Sequence, residues 1–194
     1  MISSIANWED NMSDFGGQLC TLISKDDETN EKLYLFVGFN DVDGYINYSY
    51  SFLLLDEENN PIGSYMVNRD VVSKHLPNDI KGKKIIIPII ENMTRKLLDK
   101  QLPNIIVRET AEPLDGDSLK RYENITNIMV NEYGYTLIEK TKNQYGGTKW
   151  VLSKNIDNDK NKELDEEYII NHSYTPEEIA QKVFGHINLK QLKS

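Results

Sequence analysis

Two stretches decide the fold: Lys84-Ile-Ile-Ile-Pro-Ile-Ile90 and Asn104-Ile-Ile-Val-Arg-Glu-Thr110. The first is a short apolar run of strand length, and beyond it Ile90, Thr94, Leu97, Leu98 and Gln101 recur at helical spacing. The reading is a strand over Lys83–Pro88 followed by a helix that Leu102-Pro103 closes. In the second stretch three consecutive branched aliphatics, Ile105, Ile106 and Val107, fit a strand covered on both faces. Strand, helix and strand make a β-α-β unit.

Working outward toward the N-terminus, aromatic and aliphatic runs at Gln18–Ser24, Lys32–Phe39, Tyr45–Leu55 and Ile62–Asn68 alternate with polar turn clusters. Those clusters, Lys25–Asn30, Asn40–Gly44 and Asp56–Pro61, supply the Asp, Asn, Gly and Pro that turns require. The pattern predicts an antiparallel meander of four strands.

Toward the C-terminus, Asp115-Gly-Asp-Ser118 offers an N-cap. Leu119, Tyr122, Ile125, Thr126, Met129 and Tyr133 then recur at three and four residues until Gly134 stops the helix. That period turns Ile125 and Met129 inward and Lys120, Glu123 and Asn127 outward. Tyr135–Thr141 and Thr148–Ser153 flank a glycine-bearing loop and form a terminal hairpin. The predicted fold class is α+β: a β meander followed by β-α-β-α-β-β, with a mixed central sheet and helices.

A single core domain is expected over residues 1–154. Residues 155–174 read as an acidic linker, and 175–194 as a short C-terminal helix and tail. Thr175-Pro176-Glu177-Glu178 opens that helix, and its stripe of Ile179, Val183 and Phe184 is too short to stand alone. It must dock on the body of the domain or on a partner, and its own domain is the favoured surface.

The chain has 194 residues, enough for one substantial core. Acidic side chains number 31 against 22 basic ones, for a net charge of -9, which repels phosphate backbones and argues against nucleic acid as a direct ligand. No window reaches the apolar length of a membrane span, and the N-terminal residues lack the pattern of a secretory signal. Cys20 is the single cysteine, so it forms no intrachain disulfide and no Cys-based zinc site; within Leu19–Ile23 it reads as a small buried hydrophobe. The expected location is the cytoplasm.

The order of elements resembles the GCN5-related N-acetyltransferase (GNAT) fold over Leu19–Lys154. The resemblance implies a strand at Lys83–Pro88, then a loop bearing Gln or Arg and two glycines that wraps the pyrophosphate of acetyl-coenzyme A at a helix N-terminus. Pro88–Lys96 departs from that pattern, because no glycine stands between Gly82 and Gly116 and Glu91 would set negative charge beside the anion. The expectation is a member without the chemistry and without a cofactor.

Arg108 and Glu109 follow the buried strand, where ligands commonly bind in α/β sheets, and Arg121 and Tyr122 open the next helix. These four are the candidate ligand-binding residues. His75, His172 and His186 lack metal-site spacing, no catalytic triad is apparent and no metal is expected. Asn155, Asp157, Asp159 and Glu166 alternate like calcium ligands, but Lys160 stands where the loop needs glycine.

A complete fold pattern without a chemical constellation favours a non-enzymatic interaction or accessory protein, of the antitoxin, immunity or phage-related type. It would recognise a protein partner or self-associate. The alternatives are a divergent acyltransferase with Tyr133 or Tyr145 as proton donor, and a small-molecule sensor with a pocket beside Arg108.

Overall fold

The computed structural model describes residues 2–4, 8–42, 45–63, 69–76, 86–110, 113–154 and 187–192. The strands are β1 (Ile2–Ser4), β2 (Ser13–Asp14), β3 (Gln18–Asp26), β4 (Lys32–Val42), β5 (Tyr45–Leu55), β6 (Ile105–Glu109), β7 (Thr136–Lys142) and β8 (Thr148–Ser153). The helices are α1 (Arg69–His75), α2 (Ile86–Lys100) and α3 (Gly116–Tyr133). Strands pair in the order β1-β3-β4-β5-β6-β8-β7, with β2 also on β3. The sheet is mixed: β3 and β4 are antiparallel, β5 and β6 parallel, and β8 antiparallel to both β6 and β7. The fold class is therefore α+β.

Two expected strands need correction. Residues Ile86–Ile90 are not a strand but the opening of α2. Ile86, Ile89, Ile90, Met93, Thr94, Leu97 and Leu98 are all buried, a helical period that the unbroken isoleucine run conceals. Pro88 is tolerated because it lies in the first turn, whose N–H groups have no intrahelical acceptor. The strand before the crossover is instead β5, parallel to β6 through Ile46↔Ile106 and Asn47↔Val107.

The strand expected at Ile62–Asn68 is absent from its described part. An isolated bridge joins Leu55 to Pro61, and Gly63 then takes φ 82°, outside strand geometry. Residues 64–68 lie outside the described set, as do the linker, the calcium-like series, the tail helix, His172 and His186.

By contact density the chain forms two compact units, residues 1–38, 50–93 and 176–194 in the first and 39–49 and 94–175 in the second. In the first unit, Cys20, Leu22, Tyr34, Phe36, Leu53 and Leu55 form one cluster with Leu192. Leu33, Leu54 and Val72 form another. The period-2 alternation of β5 sends Leu53 and Leu55 to one cluster and Leu54 to the other. Two of the expected turns form: Asp26 Oδ1 accepts from the Glu28 N–H, Asp56 Oδ1 from Glu58 and Asn60, and Asn30 and Asn59 take positive φ, whereas the described part of the third, Asn40-Asp-Val42, continues β4. Helix α1 is held at its end, where the His75 ring lies 2.9 Å from the Val71 carbonyl and 3.0 Å from the Glu31 carboxylate, while the Ser24 hydroxyl donates to the His75 carbonyl.

In the second unit, Asp115 caps α3 by accepting from the Ser118 N–H at 2.7 Å, and Gly134, in the left-handed region, closes it. Ile125 and Met129 are buried and Lys120 and Asn127 exposed, as the period requires, while Glu123, also expected outward, is half-buried and accepts from Lys140 Nζ at 2.7 Å. The β7–β8 loop closes through Asn143, which accepts from the Tyr145 N–H, and Gly146 at φ 79°. Gly147 has no room for a side chain, because a Cβ would lie 1.9 Å from the Thr110 carbonyl oxygen.

Candidate functional site

The four candidate residues all belong to the second unit, and the structure sorts them into three places. Arg108 stands on β6 directly opposite Trp150 of β8. It is 1 % exposed. Its Nη1 donates to the Tyr122 carbonyl at 2.9 Å and to the Thr126 hydroxyl, one helical turn further along α3. The guanidinium carbon lies 5.1 Å from the ring centre of Tyr48, 5.7 Å from that of Tyr122 and 5.5 Å from that of Trp150. Tyr122 and Trp150 stack at 5.9 Å with an interplanar angle of 9°. A delocalised, weakly hydrated guanidinium is the cation best suited to such a place.

The walls of this cage are themselves fixed. Tyr48 shares a 2.6 Å hydrogen bond with the Thr94 hydroxyl of α2, and Phe39 meets its ring edge-on at 6.0 Å. Burial pushes the Tyr48 phenol up to about 12, against a smaller lowering by the Arg108 charge. Tyr48 therefore stays protonated and serves as wall and hydrogen-bond partner.

Glu109, the next residue of β6, turns to the opposite face. It stands across from Lys149, Nζ to Oε1 3.7 Å, with the two side chains 3 % and 1 % exposed. Asn143 Nδ2 donates to Glu109 at 3.3 Å and to the Thr110 carbonyl at 2.9 Å. Burial lowers the pKa of Lys149, while the Glu109 carboxylate opposes that shift. Arg121 joins neither group: it donates to the Ser118 hydroxyl, three residues back in the first turns of α3.

Of the four, then, Arg108 and Tyr122 come together, Glu109 enters a separate buried ion pair and Arg121 braces a helix end. Tyr48, Thr94, Thr126, Trp150, Asn143 and Lys149 complete these clusters and were not anticipated from the sequence. Thr126 was within reach of it, four residues after Tyr122 on one helix face. Trp150 and Lys149 required the register of β6 on β8.

Arg108 directs Nη1 at a carbonyl and a hydroxyl of its own chain, inside three rings. Tyr133 donates to Asp99 Oδ1 at 2.9 Å and to the Arg95 carbonyl at 3.1 Å, and burial followed by the Asp99 carboxylate pushes it up to about 12. Cys20 is buried, and desolvation raises its thiol well above the usual range. Among the described residues no group of three or more His, Cys, Asp or Glu could hold a metal ion, and no helix is long and apolar enough to cross a membrane.

No family model matches the chain, and neither a curated protein nor a solved structure matches it.

Proposed function

We propose that the chain is a non-enzymatic accessory protein of the cytoplasm, of the antitoxin, immunity or phage-related type, that recognises a protein partner through the β7 face of its second unit. The observation that carries the reading is where large apolar side chains meet water. Among the described residues these are Leu102, Leu137, Ile138 and Tyr145, exposed by 46, 39, 43 and 42 %, and all four belong to the second unit. Two of them, Leu137 and Ile138, are neighbours on β7, and adjacent exposed aliphatics of this kind favour a docking role.

Leu137 and Ile138 lie at the bulge of β7, the outermost strand in the pairing order. The Tyr135 hydroxyl donates to the Pro103 carbonyl at 2.6 Å, which ties the segment after Leu102 to the start of β7. The bulge, with Lys140 and Lys142 on the same strand, disfavours addition of another strand by backbone pairing. Recognition by side chains on the face is the mode that remains. Burial of Arg108 among three aromatic rings weighs against the sensor alternative.

Affinity purification of the full chain from its source cells, followed by native mass measurement, tests the reading. A stoichiometric protein partner should accompany the wild type and be lost from Leu137→Glu, with circular dichroism unchanged. A chain recovered alone, or a partner retained equally by the variant, overturns it.

The acyltransferase alternative keeps one support. It rests on the parallel β5–β6 pair, separated in sequence by helices and followed by α3 and a terminal hairpin, although the strand that the GNAT resemblance implies at Lys83–Pro88 is, over its described part, the opening of α2. Against it stands the absence of glycine between Gly82 and Gly116.

A further inference from the structure

We draw no further inference here: the strongest candidate, the exposed aliphatic pair Leu137 and Ile138 on the outermost strand β7, belongs to the surface already proposed for recognition, and nothing in the structure shows what covers it.

Discussion

Arg108 and Trp150 face each other across the β6–β8 pair, with the guanidinium carbon 5.5 Å from the centre of the indole ring. The contact joins a cation that cannot shed its proton to the largest fully buried side chain of the described residues. It places a charged residue where a sheet and a helix would ordinarily meet through aliphatics.

Arg108→Ala should therefore destabilise the protein strongly. It empties the cage and removes the donor to the Tyr122 carbonyl and the Thr126 hydroxyl, a combined cost on the order of 3 to 5 kcal/mol. Arg108→Met should cost less, because it refills the volume and demands no hydrogen bond. Urea denaturation followed by tryptophan fluorescence compares the two. Equal losses, or none, would show that the cage is not a stabilising unit.

Alkaline pH should unfold the protein through its phenols. Tyr48 and Tyr135 are pushed up to about 12 by burial, from the ordinary value of 10.0. A phenol raised in this way keeps its proton in the folded chain while the unfolded chain gives it up. Its contribution is therefore intact below about pH 10 and is lost as the pH rises toward about 12. Melting temperatures across that window should fall, and fall less for Tyr48→Phe than for the wild type. Identical profiles would remove Tyr48 from the account.

Helix α3 tests the reading of its period. Met129 is fully buried, so Met129→Ala should cost about 2 to 5 kcal/mol. Asn127→Ala, on the exposed face, should stay within about 0.5 kcal/mol. A similar effect at both positions would mean that the helix is turned otherwise.

That period, the Asp115 cap and the Gly134 stop were all legible because each acts within a few residues of sequence. So were the polar turns at Asp26 and Asp56, whose side chains satisfy their own backbone. The isoleucine run before Met93 was not legible, since consecutive apolar residues fit a buried strand and a helix start equally well. Strands as short as β1 and β2 leave no pattern at all. At the candidate site the sequence led to Arg108 and Tyr122, but adjacent residues of a strand face opposite ways, so Glu109 could not share their cluster. Lys149 and Trp150 became partners only through cross-strand register, which no local pattern encodes.

Acetyl-coenzyme A should bind weakly or not at all. Its pyrophosphate needs backbone N–H groups that glycines allow to come close, and the opening of α2, Ile86-Ile-Pro-Ile-Ile90, contains none. Pro88 also removes one N–H from that first turn. Titration calorimetry giving a dissociation constant at or below about 10 μM, roughly -7 kcal/mol, would sink the prediction and promote the acyltransferase alternative.

The end of the chain offers the sharpest test of how the first unit is closed. Leu189–Gln191 form a single 3-10 turn, capped by Asn188, whose side chain accepts from the Lys190 N–H. The turn delivers Leu192 to the cluster of Cys20, Leu22, Tyr34, Phe36, Leu53 and Leu55, with Ile187 and Leu189 packed beside it. So short a turn has no stability of its own, and its order derives from that burial. Leu192→Ala should then lower stability by about 2 to 5 kcal/mol. Removing residues 187–194 should lower it further and uncover apolar surface that binds a hydrophobic dye. Lys190→Ala, exposed on the same turn, is the control and should change little. If the truncated protein melts at the wild-type temperature without dye binding, the C-terminal turn is not part of the first unit's core.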